Sequence, residues 1–250
     1  MRRILLIPGL FLSLISNGFA DDVAVSGRKI IDKWREAVIQ VKLVVEVSEY
    51  ENKSEALATV IDPTGLAVIS LTSIDPNRAG GEYETTPALT SKIKDLKMIM
   101  PDGDELPAQV VLRDPDLDLA FIKPLEKFTK PVPFLDLTDS IKPDILTPFI
   151  VLSRLGAGAG RDIVAPVSRI QAVIKKPRTM YIPDMNGMMS GLAAPAFSLD
   201  GKVLGIVVLR VAPSEPGMNN EIFGGMGSMN VIPVVMPAAT ILETVKKIPK

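Results

Sequence analysis

The pattern that most constrains this chain is a succession of short apolar runs, each closed by turn chemistry. Asp62-Pro63-Thr64-Gly65, Pro101-Asp102-Gly103 and Asp200-Gly201 punctuate stretches rich in Val, Ile and Leu that are too short for helices. Expected strands cover residues 57–61, 67–71, 97–100, 108–112, 119–123, 148–153, 163–173, 194–198 and 203–210. Val41, Leu43, Val45 and Val47 add a run with the two-residue period of a strand. Many short strands at this spacing predict an all-β barrel or sandwich.

Two segments carry helical spacing instead. Residues 26–39 place Ile30, Ile31, Trp34, Ala37 and Val38 on one face. At the other end, residues 237–248 open on Pro237, suited to a first helical turn, and align Ile241, Leu242, Val245 and Ile248 as a docking stripe. Lys246 and Lys247 fall near its C-terminal end, where the helix dipole favours cations. A linker near 124–134, with Pro124, Lys127, Lys130, Pro131 and Pro133, is expected to separate two halves. No internal repeat or low-complexity tract is present, and 21 prolines in a chain that is 47% hydrophobic suit a loop-rich β protein.

The chain holds neither histidine nor cysteine. Stability must therefore come from the core rather than from disulfides, and the usual transition-metal ligands are missing, so no metal and no cofactor is expected. Residues 1–20 read as a secretory signal peptide: Arg2 and Arg3, an apolar run from Ile4 to Ile15, then Gly18-Phe19-Ala20 as a cleavage site before Asp21. A secreted or periplasmic protein without a membrane span is the expectation. Removing that segment leaves 26 basic and 29 acidic residues, a net charge of −3. That balance gives no footprint for nucleic acid.

Three segments, taken in order, carry a family resemblance. The first runs from Val60-Ile61-Asp62-Pro63-Thr64-Gly65 to Ala67-Val68-Ile69-Ser70-Leu71-Thr72. The second is Pro101-Asp102-Gly103 through Arg113-Asp114-Pro115-Asp116-Leu117-Asp118-Leu119-Ala120. The third is Ser190-Gly191-Leu192-Ala193-Ala194-Pro195 through Gly201-Lys202-Val203-Leu204-Gly205-Ile206. Together they resemble the trypsin-like serine proteases of the HtrA (DegP) type over roughly residues 35–248, and no PDZ domain is expected. The resemblance implies two packed antiparallel six-stranded β-barrels with an N-terminal and a C-terminal helix. Barrel one would span about 38–124, barrel two about 132–236 and the closing helix 237–248, all within one protease-like domain over 21–250.

It also implies where the chemistry would sit. Thr72 falls at the catalytic histidine, Asp118 at the triad aspartate and Leu192 at the nucleophilic serine. Ala193 and Ala194 replace the two glycines beside it, so Ser190, Gly191, Ala193 and Ala194 stand as remnants of the nucleophile and oxyanion loop. A serine hydroxyl needs a base with a pKa near 7, which a chain without histidine does not supply. Ser190 is a rival nucleophile under a two-residue shift but would have no base. A Ser-Lys pair would have to draw on Lys202, at a hairpin turn, or on Lys175 and Lys176, in a charged stretch. No catalytic residue is therefore expected.

Eight of the 11 methionines lie between 180 and 236. Met185, Met188, Met189 and Met226 are candidates for a soft, peptide-accepting groove or for thioethers filling a vacant site. The spacing of Met185, Met188 and Met189 also admits Cu(I). Residues 75–95 form a longer excursion than the family core needs, with no ligand signature. Leu192 is expected to be mostly buried near one of the methionines, and Asp118 to accept a hydrogen bond from Thr72 or from backbone in 70–74. Three readings follow: an exported non-catalytic protein that binds a polypeptide or protein partner, a serine endopeptidase with a rearranged histidine-free site, and a structural or accessory subunit.

Overall fold

A computed structural model describes residues 22–47, 50–75, 91–128, 132–184, 191–211 and 231–249. Residues 1–20, expected to be a signal peptide, and Ser190, Met185, Met188, Met189, Met226 and most of the 75–95 excursion lie outside the described residues.

Helix α1 (Asp22–Trp34) leads into two closed barrels. The first is built from β1 (Val38–Val47), β2 (Tyr50–Val60), β3 (Ala67–Ser70), β4 (Ser91–Ile99), β5 (Glu105–Asp114) and β6 (Leu119–Pro124), in the order β1-β2-β3-β6-β5-β4. After a connection come β7 (Pro148–Val151), a two-stranded ribbon of β8 (Ser153–Arg154) and β9 (Ile163–Val164), then β10 (Val167–Ile174) and β11 (Met180–Pro183). The second barrel closes with β12 (Pro195–Ser198), β13 (Val203–Val211) and β14 (Val231–Pro237), in the order β10-β11-β14-β13-β12-β7. Every ladder in both barrels is antiparallel. Helix α2 (Ala238–Val245) follows directly. This is the double-barrel, all-β architecture that the sequence pattern and resemblance predict.

Strand parity explains the continuous apolar runs. In β3, Ala67 and Ile69 point into barrel one, while Val68 joins the core shared with barrel two. In β6, Ala120 and Ile122 fill barrel one, and Leu119 and Phe121 face the shared core. Both faces are dry, so both must be apolar, and the period-two signature vanishes. Outside barrel two, Trp34 of α1 stacks on Phe197 with ring centroids 6.2 Å apart and planes inclined by 12°.

Several boundaries differ from the sequence reading. The N-terminal helix is Asp22–Trp34 rather than 26–39, because Ala37 and Val38 are buried as the entry to β1 and only mimic helical spacing. The run 163–173 splits at Ala165-Pro166, where proline supplies no N–H for a ladder. Strand β4 already begins at Ser91, inside the expected 75–95 excursion. Strands β11 and β14 carry Pro183, Pro233 and Pro237 and gave no clear strand signal.

Gly205 sits where β13 meets β14 and α2. A Cβ there would stand 1.8 Å from the Met236 carbonyl oxygen, which belongs to backbone and cannot swing aside. Gly205→Ala should therefore cost at least about 3 kcal/mol, the upper end for overpacking. Urea unfolding of the purified variant, or its failure to accumulate as folded protein, checks this.

Candidate functional site at the barrel junction

The turn Asp114–Asp118 delivers Asp118 to the junction. Asp118 adopts φ +55°, a left-handed conformation that Asp tolerates better than most residues. Its carbonyl accepts from the Leu71 N–H at 2.9 Å, which ties the turn to the end of β3. The residue is buried, 3% exposed. Its Oδ1 accepts from the Thr72 N–H and the Thr72 hydroxyl, both at 2.7 Å. Its Oδ2 accepts from the Ser70 hydroxyl at 2.6 Å and from the Leu209 N–H at 3.0 Å. Thr72 and Asp118 are thus brought together as expected, and the threonine hydroxyl reaches the carboxylate without a bridging water. Ser70 and Leu209 were not anticipated. An isolated serine inside the dry run from Ala67 to Leu71 was the available signal, whereas a backbone N–H from the other barrel leaves none.

The loop before β12 is pinned from inside. The Ala193 N–H donates to the Val207 carbonyl at 2.7 Å, and the Ala194 N–H to the Gly191 carbonyl at 2.9 Å. Ala193 has φ +67°, the region that favours the glycine the resemblance places there. Its carbonyl accepts from the buried Thr59 hydroxyl of barrel one at 2.7 Å. Both amide donors are spent on the protein's own carbonyls.

Leu192 is mostly buried, as expected: it packs against the shared core, and its remaining surface lines a recess of about 240 Å³ with Gln40, Leu57, Glu55, Ser73 and Arg154. The following Ala193 and Ala194 are fully buried. The recess walls are rigid. Arg154 donates from Nε to Val38 O at 2.5 Å, from Nη2 to Arg35 O at 2.7 Å and from Nη1 to Arg161 O at 3.1 Å. Burial and the neighbouring Arg35 charge lower its pKa from the usual guanidinium value. Glu55, a carboxylate of the wall, accepts both Nη2 and Nε of Arg161, at 2.5 and 3.3 Å. Gln40 Nε2 donates to Leu155 O at 3.0 Å.

Of the methionine cluster, Met180 and Met236 are buried in barrel two; Met185, Met188, Met189 and Met226 lie outside the described residues, as does Ser190. Among the described residues no group of three or more Asp or Glu side chains could hold a metal ion. No helix among them is long and apolar enough to cross a membrane.

Two closed six-stranded barrels with Asp118 at their junction form a trypsin-like double barrel. No protein-family model matches the chain, and no curated protein shows significant similarity to it.

Asp118→Asn tests the network. Whichever way the amide turns, its NH2 faces either the Thr72 or the Leu209 N–H, leaving one buried donor unmet. The expected loss is about 1–3 kcal/mol, and at about 2–4 °C per kcal/mol for a chain of this size the melting temperature falls by several degrees. Thr59→Val, which strands the Ala193 carbonyl, should cost about 1 kcal/mol, readable in the same thermal scan.

Proposed function

We propose that this chain is an exported, trypsin-like protein of HtrA type that does not hydrolyse peptide bonds and instead binds a polypeptide segment at the barrel junction. One observation carries the reading. The carboxylate at the position of a triad acid is engaged on both oxygens by hydroxyl and backbone N–H groups. None of those four donors can act as a base at neutral pH, and the chain has no histidine to replace them.

The recess supports the binding half. Leu192 and Leu57 offer apolar surface, with Gln40, Ser73 and Glu55 around it. A space of about 240 Å³ accommodates a single aliphatic side chain of a partner, held at a junction that is already ordered. Export rests on the N-terminal signal pattern.

A fluorophosphonate probe should leave the purified mature protein unlabelled, and casein should remain intact. Labelling that disappears in Ser190→Ala would instead establish the endopeptidase with a rearranged site. Pull-down from periplasmic extract should recover a partner with the wild type and lose it with Leu192→Asp, which places a charge in the recess. Capture that is indifferent to Leu192→Asp would remove the junction from the binding role and favour an accessory subunit.

A further inference from the structure

A second concavity, of about 600 Å³, lies at the end of barrel one where the β4–β5 turn meets the connection after β6. Its floor is apolar: Met100, Leu106, Phe128 and Val132 line it, and all four belong to or pack against the barrel-one core. Its walls are stiffened by Pro101, Pro107, Pro124 and Pro133. Phe128 is seated on the turn before β3, where a Cβ at Gly65 (φ +85°) would stand 2.0 Å from the ring. The close approach of the ring requires glycine at position 65.

Among the described residues the rim is mostly acidic. Glu36, Asp102, Asp104 and Glu126 are exposed lining residues, against the single ammonium of Lys127 among the described lining residues. The chain as a whole is almost neutral, so this acidity is local. Carboxylates grouped around an apolar floor raise the local concentration of cations and reward a ligand that carries apolar and cationic groups together.

We propose that this groove docks an extended polypeptide segment in which lysine or arginine side chains alternate with apolar or proline residues. The apolar residues cover Leu106 and Phe128 while the cations meet Asp102, Asp104, Glu36 and Glu126. The groove shares Met100 and Pro101 with a smaller hollow of about 270 Å³ that reaches Gln40 and Arg154. It is nonetheless a separate surface from the Leu192 recess, and the proposal does not depend on the junction binding anything.

Fluorescence anisotropy with a labelled (Lys-Pro-Leu)3 peptide and its (Glu-Pro-Leu)3 counterpart, on the full mature chain, tests it. The lysine peptide should bind saturably at least tenfold more tightly than the glutamate peptide and weaken as salt rises. Asp104→Lys/Glu126→Lys should weaken the lysine peptide at least tenfold, and Asp104→Asn/Glu126→Gln by less, with melting temperatures confirming that both variants fold. Equal affinity for the two peptides, no saturable binding of either, or undiminished binding by the charge-reversed protein overturns the proposal. The junction reading is tested on Leu192 and Ser190, so the two ideas fail on different variants.

Discussion

The Asp118 carboxylate is where the two barrels are joined by hydrogen bonds as well as by apolar contact. Three of its four named donors, the Thr72 N–H and hydroxyl and the Ser70 hydroxyl, belong to barrel one; the fourth, the Leu209 N–H, comes from β13 of barrel two. An ion sealed this far from water would cost several kcal/mol without partners, so its burial and the docking of the barrels imply each other. The turn that presents it is also held from outside. Lys247, just past α2, pairs with Asp114 at 3.1 Å, and Arg210 of β13 donates to the Asp116 carbonyl. Removing the carboxylate would orphan donors on both barrels at once.

A second polar tier crosses the same junction. Thr59 of β2 reaches the Ala193 carbonyl, Gln40 of β1 reaches the Leu155 carbonyl, and Arg154 of β8 returns to the Val38 and Arg35 carbonyls. Apolar contact between the barrels is abundant but non-directional, and many rotations of one barrel on the other would bury comparable area. Far fewer would satisfy every one of these polar groups. The polar tier thus selects the orientation, while Phe121, Phe149 and Phe197 supply area to the common core.

Much of the architecture was legible because turns are written in Asp, Gly and Pro, and because β3, β6, β12 and β13 are dry on both faces. The helix boundary at Trp34 was not: Ala37 and Val38 are buried for strand reasons but fall at helical spacing. Strands β11 and β14 hid behind their prolines and methionines. At the site, the pairing of Asp118 with Thr72 followed from the family resemblance, which places the two at neighbouring triad positions. The role of Ser70, the Leu209 N–H and the Thr59 hydroxyl did not, since each depends on which segment of a distant strand lies opposite. Leu192 is mostly buried against the shared core, as the apolar residue at that position led one to expect, while part of it lines the recess.

That geometry bears on what a bound segment would experience. Acyl transfer requires groups that interact more strongly with the transition state than with the ground state. At this junction the side chain at the nucleophile position is that of Leu192, which has no group to attack a carbonyl, and the Ala193 and Ala194 N–H groups that follow it pin the loop to Val207 O and Gly191 O. The Thr72 hydroxyl donates to Asp118 and is far too weak a base to draw a proton from a nucleophile. What remains for a ligand is uniform binding: apolar surface on Leu192 and Leu57, and an arginine-braced wall fixed before anything arrives. Under the proposed reading, such a junction holds a polypeptide without strain toward reaction. Its residence there is then set by the dissociation rate rather than by any chemical step.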